Sequence, residues 1–162
     1  KKVEKNFLDL LEKNQKIIHK ICRIYSNEEG YKDLFQEIVI QLWKSYSSFK
    51  GESKFTTWMY SVSLNTAMSL FRKVKKYETK INIELVQDKI KHDEINDDDE
   101  IKVKKMYQAI HQLNDVDKAL IMMYLDDKDY SEISRILGIT EGNARVKMNR
   151  ARNKLKQLIK NR

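Results

Sequence analysis

The sequence predicts an all-α protein made of two small helical domains joined by a flexible acidic linker. Three observations carry that prediction. The 162 residues contain no proline and only four glycines, where ordinary usage of roughly 5% would supply about eight prolines. Sandwiches, barrels and hairpins lack their turn residues in such a chain. Apolar residues recur every three or four positions, the spacing that lines them along one face of a helix. Charge also falls in blocks: residues 1–76 carry 15 basic and 8 acidic side chains, 77–112 carry 6 and 9, and 113–162 carry 11 and 7. Two basic segments thus flank an acidic one, within a total of +8.

The first helix is expected where Val3, Phe7, Leu10, Leu11, Ile17, Ile18, Ile21 and Tyr25 keep helical spacing. A second is expected from about Tyr31 to Tyr46. It carries Leu34, Phe35, Ile38, Val39, Ile40, Leu42 and Trp43, too many for one face. A helix apolar nearly all round is either central or presents its second face to a partner. The polar, glycine-containing stretch SYSSFKGESK breaks the pattern. A third helix then starts with Ser53 as its expected N-cap and runs through Phe55, Trp58, Met59, Val62, Leu70, Phe71 and Val74 to the basic end RKVKK. Beside it lie Phe49, Lys50, Phe55 and Thr56. Rings next to cations can stack an unpaired base and neutralise its phosphate, although the plainer reading is an ordinary aromatic core.

The segment HDEINDDDE, His92 to Glu100, has too few apolar residues to pack and is expected to be the centre of the linker; a solvated loop within one domain is the alternative. Beyond it, Asn114 is placed to cap a helix carrying Val116, Ala119, Leu120, Met123 and Tyr124 and ending near Asp126. Asp129 and Glu132 have the spacing of a capping box and open a short helix with Ile133, Ile136 and Leu137. Gly138 supplies a turn, and Thr140 caps a last helix. There Ala144, Met148, Ala151, Leu155, Leu158 and Ile159 form one stripe, while Asn143, Arg145, Val146, Asn149, Arg150 and Asn153 fall mostly opposite.

A short helix, a glycine turn and a capped helix with a basic outer face make a helix-turn-helix, whose second helix enters a major groove by its first turns. From Gly138 to Arg162 there are eight basic residues against Glu141 alone, the footprint of a nucleic-acid binder. Val146 either meets a thymine methyl, with Arg145 or Asn143 on purine edges and Glu141 on a cytosine amine, or is one of the scattered valines common on surfaces.

Several classes are excluded. A single cysteine, Cys22, allows no intramolecular disulfide framework and no cysteine zinc cluster; it sits among Ile18, Ile21 and Tyr25 as a buried small hydrophobe. His19, His92 and His111 are scattered without metal-ligand spacing. With no glycine-rich phosphate loop and no nucleophile–base arrangement, neither a catalytic residue nor a metal or other cofactor is expected. The longest apolar run, Ala119 to Leu125, is far short of a membrane span. The amino end is charged throughout, so a cytoplasmic protein is expected.

The order of residues resembles a known family. DLFQEIVIQLW (Asp33 to Trp43), FKGESKFTTW (Phe49 to Trp58), Asn65 and FRKVKK (Phe71 to Lys76) are similar to the second conserved domain of bacterial RNA polymerase sigma factors of the extracytoplasmic-function group. Leu113 onward, with YSEISRILGIT (Tyr130 to Thr140) and NRAR (Asn149 to Arg152), is similar to the fourth conserved domain; Ala144 departs from the family's usual valine.

The resemblance implies a domain at 1–76 that binds the polymerase core and the minus-ten element, a linker at 77–104 and a minus-thirty-five-binding domain at 105–162. It implies contact with the beta-prime coiled coil through Asp33, Gln36, Glu37, Ile40 and Trp43, and with the beta flap. It implies minus-ten binding by Phe49, Lys50, Gly51, Ser53, Lys54, Trp58, Asn65, Arg72 and Lys73. Minus-thirty-five binding is implied for Thr140, Glu141, Asn143, Arg145, Val146, Lys147, Asn149, Arg150 and Arg152. The implied partners are polymerase core, promoter DNA and an anti-sigma factor, with no enzymatic activity and no membrane insertion. The rival from another class is a free-standing regulator that binds operator DNA as a dimer.

Overall fold

The computed structural model describes residues 1–81 and 98–161. Among them are seven helices: α1 Lys2–Tyr25, α2 Tyr31–Tyr46, α3 Phe55–Ile81, α4 Asp98–His111, α5 Asp115–Leu125, α6 Tyr130–Leu137 and α7 Glu141–Lys160. Helix existed at each place its periodicity predicted, and α2 keeps its expected bounds.

The first three helices pack on one another. Phe7, Ile18 and Ile21 of α1, Leu34, Ile38 and Leu42 of α2, and Met59, Leu64 and Ala67 of α3 form their common core. Cys22 is fully buried there, and burial pushes its thiol up to about 11, as expected of a packing residue. The three cap predictions for the second half hold at atomic level: the side chains of Asn114, Asp129 and Thr140 accept from the backbone N–H of Asp117, Glu132 and Asn143 at 2.8, 2.8 and 3.1 Å. Gly138 ends α6 at φ 67 and ψ 35, the left-handed conformation that glycine adopts without strain.

Two local expectations are corrected. The N-cap of α3 falls on Lys54, whose carbonyl accepts from the Trp58 N–H at 3.1 Å, while the Ser53 hydroxyl only approaches the Lys54 carbonyl at 3.4 Å. The capping box of α6 is half formed: the Glu132 carboxylate does not turn back to its own helix but accepts from Thr57 of α3 at 3.2 Å and pairs with Lys128 at 3.3 Å. Helix also occupies both ends of the segment 77–104, since α3 continues to Ile81 and α4 starts at Asp98; the acidic centre up to residue 97 lies outside the described residues.

The two halves are packed together, with α3 against α5 and α6, and α1 against α4 and α5. Helix α5 is the reason. Lys118 through Met123 are all buried, so it needs cover on more than the α7 side. Asp115, Lys118, Met122 and Asp126 share one face of it. Three of these four bond to the first half: Asp115 pairs with Arg72 and takes the Tyr25 hydroxyl on its carbonyl at 2.5 Å, and Asp126 pairs with Lys20 at 2.6 Å and accepts from Tyr60. Lys118 reaches the Ile24 carbonyl at 3.4 Å.

Candidate nucleic-acid and partner interfaces

Three surfaces carry the predicted residues. On α2 the apolar surplus resolves into two faces. Leu34, Ile38 and Leu42 are buried, whereas Ile40 and Trp43 are 44% and 43% exposed. Asp33 and Gln36 are exposed and Glu37 half-buried, so all five predicted residues lie together on the outward side at helical spacing. Glu37 also accepts from Gln41 at 2.9 Å. An apolar centre with two carboxylates at one end is suited to a partner that is itself part apolar and part basic.

The second surface combines the loop before α3 with one side of that helix. Phe49, Phe55 and Trp58 form a cluster with ring centres 5.2 to 5.8 Å apart, and Tyr46 stacks on Phe49 at 6.5 Å. Phe49 and Trp58 are therefore half-buried among other rings, so the plainer reading of an aromatic core is true of their inner faces. Lys50, Gly51 and Lys54 stand exposed around the cluster, and Ser53 is half-buried. Gly51 has φ 73, which the turn requires of it. Trp58, Asn65 and Arg72 follow at intervals of seven residues, so they lie along one face of α3 over about 21 Å; Asn65, Arg72 and Lys73 are exposed. At its far end this row meets the second half, where the Arg72 guanidinium is engaged by Asp115.

The third surface is α7. Ala144, Met148 and Ala151 are buried against the rest of the helix-turn-helix, with Leu155 and Leu158 partly so. Ile159, expected in the same stripe, is 42% exposed because the helix has run past its support. Thr140, Glu141, Asn143, Arg145, Asn149 and Arg150 are exposed, and Val146 is 49% exposed among them. Lys147 and Arg152 are half-buried at the edges of this face. Thr140 spends its hydroxyl oxygen on the cap, so it orders the helix start.

Sequence reasoning missed four side chains that shape these surfaces. Tyr130 and Tyr124 lie beneath Arg145 and Arg152, with the guanidinium carbons 4.6 and 4.5 Å from the ring centres. Asp115 holds Arg72, and Lys118 is buried at the junction between the halves. No sequence signal marks a tyrosine that meets a helix one or two elements away. Among the described residues no cluster of histidine, cysteine and carboxylates is fit to hold a metal, and no helix is long and apolar enough to cross a membrane.

A helix-turn-helix with an outward basic face, packed on a helical bundle that carries a cation-ringed aromatic loop, is the architecture of a DNA-binding protein. Residues 10–77 match the model of sigma-70 region 2, and residues 104–155 match that of sigma-70, region 4. The chain belongs to the sigma-70 family of RNA polymerase sigma factors, in its extracytoplasmic-function group. It is 29% identical over 147 residues to the RNA polymerase sigma factor YlaC of Bacillus subtilis, covering 88% of this chain and 85% of that protein. It is 25% identical over 167 residues to the ECF sigma factor SigW of the same organism, covering 95% and 89%. The fold is shared with the sigma factor RpoE crystallised with the anti-sigma factor NepR from Bartonella quintana, at a TM-score of 0.73, 20% identity and coverage of 96% and 98%. It is also shared with CnrH in complex with the cytosolic domain of CnrY, at a TM-score of 0.68, 16% identity and coverage of 97% and 89%.

Proposed function

We propose that this sigma factor binds RNA polymerase core through the outward face of α2 and reads its promoter at two places, in the cytoplasm where both reside. Residues 1–76 act as the core and minus-ten unit, 77–104 as the tether and 105–162 as the minus-thirty-five unit. Asp33, Gln36, Glu37, Ile40 and Trp43 meet the beta-prime coiled coil, and the second unit meets the beta flap. The polymerase supplies all the chemistry, and no cofactor of the sigma factor is involved.

The minus-thirty-five element is read as duplex. The observation that carries this reading is that Asn143, Arg145, Val146, Asn149 and Arg150 all face outward from the first turns of α7 while Ala144, Met148 and Ala151 anchor it. Arginine and asparagine there are suited to purine edges, and Lys147 and Arg152 at the flanks to phosphates. The minus-ten element is held as a separated strand. Phe49 and Trp58 offer ring faces for an extruded base, with Lys50, Lys54, Arg72 and Lys73 along the phosphates and Asn65 on a base edge. Engaging DNA with Arg72 requires release of its bond to Asp115, so promoter binding is coupled to separation of the halves. An anti-sigma factor that stabilises the packed arrangement would block both steps.

The test is gel filtration of the chain with core polymerase, followed by run-off transcription from genomic promoter fragments. Co-elution and promoter-dependent transcripts are expected, and Ile40→Ser should weaken both while leaving unfolding free energy within about 0.5 kcal/mol, because Ile40 is exposed. A chain that ignores core but shifts operator DNA as a dimer would establish the free-standing regulator instead.

A further inference from the structure

Arg145 is held in place before any DNA arrives. Its guanidinium carbon lies 4.6 Å from the centre of the Tyr130 ring, at the first position of α6. Arg152 repeats the arrangement two turns later on α7, 4.5 Å over Tyr124 near the end of α5. Among the described residues neither arginine forms an ion pair, even though Glu141 lines the same depression as Tyr130 and Arg145.

The choice of a ring over a carboxylate has a chemical consequence. A carboxylate would neutralise the guanidinium and occupy the N–H edge that pairs with a guanine or a phosphate. A ring takes only the flat face, leaving the charge and the in-plane donors free. It also removes rotamer freedom that a loose arginine would lose on binding.

We propose that Tyr130 is a positioning residue for minus-thirty-five recognition: its ring holds the Arg145 guanidinium flat, with its donor edge presented to the duplex. The inference rests on the assignment of α7 to DNA made above. Tyr130 is half-buried beside the recognition helix and touches DNA through Arg145 rather than directly.

The experiment is a double-mutant cycle on the full chain assembled with core polymerase. Affinity is measured by fluorescence anisotropy on a promoter fragment selected from a random-sequence pool by the wild-type holoenzyme. Tyr130→Phe, which keeps the ring, should bind as the wild type does. Tyr130→Leu should weaken binding about two- to five-fold, the range of an exposed cation–π contact. In an Arg145→Ala background the same change should add no loss. Should leucine disturb the fold, as read from the melting temperature, the ring-free Tyr130→Met repeats the measurement. Loss from Arg145→Ala with none from Tyr130→Leu, or an equal loss from Tyr130→Leu with and without Arg145, overturns the positioning role alone. No loss from Arg145→Ala removes Arg145 from DNA recognition and overturns the role with it.

Discussion

Lys118 is a cation with 1% of its surface exposed, and the atoms it hydrogen-bonds are all backbone carbonyls. Its ammonium donates to the carbonyls of His111 at 2.8 Å and Ile110 at 3.1 Å, the last of α4, and more distantly to that of Ile24 at the end of α1. Carbonyls at helix C-termini lack intrahelical donors and carry the negative end of the dipole, so one lysine closes two helices from opposite halves. The Phe71 ring lies 5.3 Å from the same nitrogen. Burial, with a smaller contribution from the charge of Lys75, holds the Lys118 pKa down to about 8 from 10.5. At this group the folded state therefore binds fewer protons than the unfolded state between those values, so the contribution of Lys118 to stability rises with pH through that window. From about pH 9 the buried Cys22 thiol, held up to about 11, acts in the opposite sense because the unfolded chain ionises first, and above about pH 10 the hydroxyls of Tyr25 and Tyr60, also raised by burial, add to that loss. Denaturant unfolding should show a gain of about 1 kcal/mol between about pH 7.5 and 9, absent in Lys118→Met. A flat profile in the native chain would mean that Lys118 keeps its ordinary affinity for protons.

At the scale of elements, the helix-turn-helix is fixed by caps and one glycine. Gly138 has open space where a Cβ would stand, so substitution meets no clash and the cost is conformational alone. Gly138→Ala should lower stability by about 1 kcal/mol and Gly138→Asn by less, measured by urea unfolding. A much larger loss for alanine would point to a contact beyond the backbone. These signals were legible in the sequence because a cap acts within three residues: Asn114, Asp129 and Thr140 needed no knowledge of the rest of the fold. The failures were equally instructive. Glu132 has the right spacing for a reciprocal cap, yet Thr57, 75 positions earlier, takes its carboxylate. Ser53 is a better cap than Lys54 by type, but the helix starts where the aromatic cluster lets Phe55 and Trp58 pack.

For the whole molecule, the packed arrangement of the two halves is held at the ends of α5 by carboxylates. Asp115 engages Arg72 and Asp126 engages Lys20 and Tyr60. The cations are 65% and 50% exposed while each carboxylate is 16% exposed, so the acids lose more water than the bases do. Asp115→Asn together with Asp126→Asn should loosen the junction without unfolding either half. Small-angle scattering should then show a larger radius of gyration at unchanged far-ultraviolet circular dichroism. An unchanged radius would mean that the apolar face of α5 holds the halves by itself, through Met122 and its neighbours.

The sequence by itself determined six of the seven described helices, three of their caps, the glycine turn and the separation of charge into two basic blocks around an acidic one, because each depends on neighbours a few residues away; α4, which starts inside the expected linker, it did not show. It also singled out α2, the loop before α3 and α7, whose named residues the structure leaves largely at the surface. Only the tertiary structure decided that the halves pack through α5, that Arg72 is occupied by Asp115, that Lys118 closes two helix ends, and that Tyr130 lies under Arg145. Each of those contacts joins residues from different helices, where spacing along the chain gives no register and packing sets which side chains meet.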